Sequence, residues 1–285
     1  MRTLILMLLI FATLNAKSFF SDTEQADNTI YLGSLKDLVI ATQKTRGLTN
    51  SFLNGNTAAQ LLVYINREHM VKAITTMESV SIATDPIISK RASNISDALL
   101  KLNHTAFKRQ SESNQVFADY TEQIGQILIL AQTLSKRSAK DLNPFGVETS
   151  KIMMEIMLPM TEYVGQMRGF GSGLAAKKKR SKSELNKILI LSNKIKNLNS
   201  ELQGQLYELT QKYGSTLPPQ IIDETASVDK ITNSYTNFAE DKFKNEIKNI
   251  DPDNYFDNGT NLISHIIKVY NTCNRSILKD SEGWL

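Results

Sequence analysis

Apolar residues recur every three or four positions along nearly the whole of this chain, and Pro and Gly interrupt the pattern at only a few points. That period is the signature of one face of a helix, and its persistence requires a fold built from long helices. The first clear stripe is Leu32, Leu35, Val39, Thr42, Arg46, Thr49 and Leu53, spaced alternately by three and four. A stripe with that spacing turns inwards when helices pack together. With 13 Gly and 6 Pro in 285 residues, the chain lacks the turn-rich composition of a β fold. Its 41% hydrophobic residues supply a substantial core.

Periodicity and breakers together predict an all-α chain of eight long helices over 31–53, 58–83, 87–107, 114–136, 148–176, 183–213, 219–250 and 256–278. Asp141, Asn143, Pro144 and Gly146 form the strongest turn signal in the middle. The halves are divided there, into 17–143 and 144–285. Short connections make neighbours antiparallel, so each half is expected to be an up-down four-helix bundle.

The first residues read differently. Arg2 gives a short positive end, 4–12 is an apolar run too short to span a bilayer, and Ala16 is a small residue suited to peptidase. A signal peptide over 1–16 is expected, delivering the mature protein to the periplasm; an uncleaved N-terminal anchor is the alternative. The single cysteine, Cys273, cannot form an internal disulfide and is expected to be buried as a small apolar residue. A net charge of +4 is weak and gives no reason to expect nucleic acid as a partner.

The halves look duplicated. Arg46, Gly47, Leu48 and Leu53 line up with Arg168, Gly169, Phe170 and Ala175. Phe117, Thr121, Ile124, Ile127 and Leu128 match Phe256, Thr260, Ile263, Ile266 and Ile267 at identical spacing. A second stripe, Met154, Met157, Thr161, Val164, Arg168, Gly171 and Ala175, puts Arg168 where the first puts Arg46.

A guanidinium keeps its proton when buried, so each arginine needs a negative partner. No Asp or Glu lies one turn away on either helix: Arg46 has Thr42, Gln43, Thr49 and Asn50, and Arg168 has Val164, Gly165, Gly171 and Ser172. One planar anion held between the two forks satisfies both. Gly47 and Gly169 remove bulk beside each arginine, which suits close approach by a ligand or a facing helix. Thr49, Asn50 and Ser172 stand ready to support the anion. The competing reading is that each arginine pairs with a carboxylate from another helix, in a structural or adhesive bundle without ligand.

The segment Gln43, Lys44, Thr45, Arg46, Gly47, Leu48, Thr49, Asn50, Ser51, Phe52, Leu53 resembles the signature of the nitrate- and nitrite-sensing (NIT) domain. Gly165, Gln166, Met167, Arg168 and Gly169, with Leu174 and Ala175, resemble its second arginine segment. The helix starts at Val116–Thr121 and Tyr255–Ile263 are similar to those that recur in that family. The resemblance implies two four-helix bundles, with nitrate or nitrite contacted by Arg46 and Arg168. Family members are usually fused to an output module, and this sequence stops after its last helix. It is therefore expected to signal in trans to a membrane-spanning histidine kinase or a chemoreceptor. Ligand would change the packing of the two arginine helices, or the way two protomers of a homodimer associate through them. A binding protein that hands the anion to a transporter is the weaker option. Pro159 is expected to kink the helix that bears Arg168.

Other features carry less. His69, His104 and His265 lack metal-ligand spacing. Met153, Met154, Met157, Met160 and Met167 suit core packing better than copper. The basic run 177–180 suits a solvated helix end. No phosphate loop or nucleophile constellation is present, so neither an enzyme nor a cofactor is expected.

Overall fold

The computed structural model describes residues 2–80, 85–108 and 112–282, with side chains from residue 27 onwards except at Asp141, Ser281 and Glu282. The expected signal peptide falls where side chains are not described, and the expected end of the second helix at Ala83 lies outside the described residues. The fold is all-α. Its elements are α1 (Arg2–Leu53), α2 (Ala59–Ser79), α3 (Pro86–Thr105), α4 (Ser113–Ser138), α5 (Pro144–Ile152), α6 (Leu158–Lys177), α7 (Lys182–Tyr213), α8 (Gln220–Asn245) and α9 (Pro252–Glu282). A π-turn, Met153–Met157, joins α5 to α6 in one rod, so the expected eight rods are present. Helix α8 stops at Asn245, short of the expected Ile250, and a 3-10 turn at Ile247–Asn249 completes that segment. Among the described residues, no helix is long and apolar enough to cross a membrane.

Local chemistry sets the helix ends. Asp85 accepts from the Ile87 and Ile88 amides at 2.9 and 3.3 Å, and Pro86 supplies the first turn, where its missing N–H has no cost. Asn143 and Pro144 repeat the device for α5, with the Gly146 amide 2.8 Å from Asn143 Oδ1. Ser181 and Glu184 form a reciprocal capping box on α7. The basic run does more than face solvent: Lys178 donates to the Lys248 carbonyl, and Arg180 donates to the Phe243 and Lys244 carbonyls at the end of α8. Cations there satisfy acceptors that a helix end leaves open.

Helix α1 packs on α2 and α4, and α3 on α2 and α4, which closes one ring of four. The α5–α6 rod packs on α7 and α9, and α8 on α7 and α9, which closes the second. The rings meet through α1 against α6, and one hydrophobic cluster runs through both. Every residue from 167 to 175 is buried, so this part of α6 has no solvent face. The methionines at 153, 154, 157, 160 and 167 belong to the shared core, as does Cys273.

Pro159 does not simply kink its helix. The π-turn lies directly before it, with the Leu158 amide reaching back five residues to the Met153 carbonyl. The widened turn keeps the proline ring from the carbonyl four residues earlier. The amide next in line for the Met154 carbonyl would be that of residue 159, which as proline has none. Gln132 Nε2, from α4, donates to that carbonyl at 3.2 Å instead.

Candidate functional site

Helices α1 and α6 cross where Gly47 faces Gly169. A Cβ on Gly169 would lie 2.7 Å from the Gly47 Cα, and one on Gly47 would lie 3.1 Å from the Gly169 Cα. The two glycines therefore serve helix contact, the second of the two roles open to them from sequence. Asn50 Nδ2 donates to the Gly169 carbonyl at 2.9 Å, while Ser172 Oγ lies 3.0 Å from Ser51 Oγ and 3.1 Å from the Pro252 carbonyl. Asn50 and Ser172 thus tie helices together at the crossing. Thr49 is buried beside the Tyr120 hydroxyl, which donates to Asn103.

On either side of the crossing the duplicated residues assemble the same unit. The Arg46 guanidinium stacks over Phe117 at 4.8 Å, and its Nη1 donates to Thr121 Oγ1 at 2.9 Å. Arg168 stacks over Phe256 at 4.4 Å, and its Nη1 donates to Thr260 Oγ1 at 2.9 Å. Each threonine donates in turn to the carbonyl of its phenylalanine, at 2.8 Å for Thr121 and 3.0 Å for Thr260. Ring faces and hydroxyls orient both cations without neutralising them. The repeat of Phe117 and Thr121 at Phe256 and Thr260 was visible in the sequence, but their role as arginine partners was not.

The symmetry ends at Glu162. Its Oε1 accepts from Arg46 Nη1 at 2.6 Å and from Gln166 Nε2 at 2.8 Å. Its Oε2 accepts from Arg46 Nη2 at 3.2 Å and from Gln43 Nε2 at 3.1 Å. For Arg46 this is the competing reading, a carboxylate from another helix, in place of an anion as its partner. The partner of Arg46 comes from another helix, where a search one turn along α1 cannot find it. The matching position in the first half, six residues before Arg46, is Ile40.

Among the described residues Arg168 has no such partner. Its Nε and Nη2 are buried with no hydrogen-bond acceptor among the described residues. Burial, the largest influence, pushes its pKa down to about 10, and Arg46 acts in the same direction. Tyr235, Glu162 and Asp257 act against them through their fields. The group stays charged at neutral pH. Nε and Nη2 share one edge of the guanidinium, the planar fork that fits two oxygens of one anion. Arg46 Nε is also without an acceptor among the described residues. At the margin, Lys187 lies 4.3 Å from the Phe170 ring centre and 5.3 Å from that of Phe117; burial and Arg46 lower its pKa.

The two arginines are 0% and 2% exposed. Cavities between α1 and α2, between α3 and α4, and beneath the π-turn include neither of them. These three clefts do not reach the helix crossing.

A family model described as nitrate and nitrite sensing matches residues 37–278, a span that holds both arginines, Glu162 and both threonines. Among solved structures, the NasR transcription antiterminator is similar, with a TM-score of 0.63 and 14% identity over 97% of this chain and 74% of that chain. At that identity the likeness shows the fold. No curated protein matches closely enough to count as a relative.

Proposed function

This chain belongs to the NIT family of nitrate- and nitrite-sensing domains, and from that premise we propose that it holds the anion on the open edge of Arg168, with Arg46 alongside. The observation that supports this most directly is a fully buried guanidinium whose Nε and Nη2 have no acceptor among the described residues. An unpaired buried charge costs several kcal/mol, on the order of 3–5 when an ion pair is broken. A planar monoanion offers two oxygens to that fork and removes the cost. The rival reading, a structural bundle without ligand, draws on the Arg46–Glu162 pair but leaves Arg168 unexplained.

Because both arginines are closed from solvent, the anion enters only when the packing of α1 against α6 loosens. A ligand shifts a conformational balance only through different affinity for its members, and this crossing is where bound and free forms differ. The basic, apolar and small-residue pattern over 1–16 supports export. We place the protein in the periplasm, reporting in trans to a membrane-spanning receptor such as a histidine kinase.

Thermal melts with and without nitrate or nitrite test the binding step. Wild type is expected to gain about 2.7 kcal/mol at a hundredfold excess over Kd, and Arg168→Ala to gain nothing. A full nitrate response in Arg168→Ala would sink the reading. Site-specific crosslinking in cells from outer-helix positions tests the output, and capture of a transporter in place of a receptor counts against it.

A further inference from the structure

We infer that Glu162 fixes the charge of the anion this site accepts at one negative charge, an inference that rests on the anion-sensing reading above. Three ionised side chains are buried together at the crossing: Arg46, Arg168 and Glu162. Glu162 is committed there, since its two oxygens accept four hydrogen bonds, two from Arg46 and one each from Gln43 and Gln166. Paired through both oxygens with the Arg46 guanidinium, the carboxylate is held in place and brings one negative charge to the cluster. The buried cluster therefore carries one net positive charge. Asp257 acts on Arg168 and Lys187 on Arg46 from the margin, and neither is part of the buried cluster.

A desolvated site disfavours any uncancelled charge. One negative charge on the ligand brings the cluster to neutrality, whereas a dianion leaves it negative by one. Selection by charge therefore does not depend on the shape of the pocket. The asymmetry between the halves is what makes it possible. A carboxylate at Ile40, the counterpart of Glu162, would add a second negative charge and bring the cluster to neutrality with no ligand. With neither carboxylate, the charge would be plus two. One carboxylate for two arginines selects monoanions such as nitrate and nitrite.

Calorimetric titration of the purified protein with sodium nitrate, perchlorate and sulfate at constant ionic strength tests this. Perchlorate and sulfate are both tetrahedral, so comparing them separates charge from shape. Wild type is expected to bind nitrate, and to bind perchlorate at least tenfold more tightly than sulfate. In Glu162→Gln the perchlorate-to-sulfate ratio is expected to fall at least tenfold. An unchanged ratio in a Glu162→Gln protein with native helical circular dichroism overturns the inference, as does equal affinity of wild type for perchlorate and sulfate. Should Glu162→Gln not fold, nitrate titrations of wild type in two buffers of different ionisation heat decide. No proton uptake is expected, and uptake of one proton means that Glu162 is neutralised and the inference is wrong. Absence of nitrate binding by wild type overturns the sensing reading itself, and the inference with it.

Discussion

Gly47 and Gly169 meet where α1 crosses α6, so closely that one methyl group on Gly169 would stand 2.7 Å from the Gly47 Cα. Gly169→Ala therefore forces two backbones apart. It is expected to destabilise the fold by about 1–3 kcal/mol despite the better helix propensity of alanine. Gly204 is a contrasting case, since a Cβ there meets nothing within 4 Å. Gly204→Ala on α7 is expected to stabilise by up to about 1 kcal/mol. Urea unfolding of both variants checks the pair, and a Gly169→Ala protein as stable as wild type would show that the crossing is loose.

The two arginines are expected to respond differently to removal. Arg46→Ala strands Glu162 in the core and should cost about 3–5 kcal/mol with or without anion. Arg168→Ala removes a cation that has no acceptor at two of its nitrogens, so its cost without anion should be smaller, mainly lost stacking on Phe256. In saturating nitrate the gap between wild type and Arg168→Ala should widen by the ligand's contribution. Melts of both variants at several nitrate concentrations make the comparison, and equal costs in anion-free buffer would contradict it.

Gln132 and Pro159 should be energetically coupled. Gln132→Leu leaves the Met154 carbonyl without its donor and is expected to cost about 1–3 kcal/mol. With Pro159→Ala, the new amide supplies that donor from within the helix. The Gln132 substitution should then cost less, with an interaction energy of at least about 0.5 kcal/mol in a double-mutant cycle. Additive costs would mean that Gln132 does not serve this carbonyl.

Acid should loosen the start of α3. The Arg137 hydrogen bond, with the amides of Ile87 and Ile88, holds the Asp85 carboxyl below its ordinary value. A carboxylate depressed in the folded state adds stability that is present above the unfolded value of about 3.9. That stability is lost as pH falls through the lower folded value. Asp85→Asn is expected to flatten this part of the profile between about pH 5 and 2. Chemical denaturation across that range reads the slope directly; slopes identical to wild type would remove Asp85 from the account.

Much of this site was legible in the sequence because duplication leaves a trace in linear spacing. The heptad seams put Arg46 and Arg168 inside, and the recurrence of Phe117 with Thr121 at Phe256 with Thr260 marked the segments that meet them. Glu162 was not legible. It reaches Arg46 across a helix interface and lies six residues from Arg168, outside the single turn in which a same-helix partner can sit. The helix-tying hydrogen bonds of Asn50 and Ser172 were not legible for a related reason. Polar residues near a buried cation suit a ligand shell and a helix clamp equally well until the facing backbone is known. Pro159 announced a disturbance, but a proline names no particular remedy, and here the remedy depends on a glutamine from another helix.

The burial of the arginine pair also bears on time. If the Arg168 site takes the anion as proposed, the anion arrives only through openings of α1 against α6, below the pace of free diffusion, and leaves through openings that the bound anion makes rarer. Pulses of anion shorter than the interval between openings leave occupancy almost unchanged. Sustained supply is registered in full. On that proposal the occupancy of the site is a running average of concentration, with rapid fluctuation already filtered out.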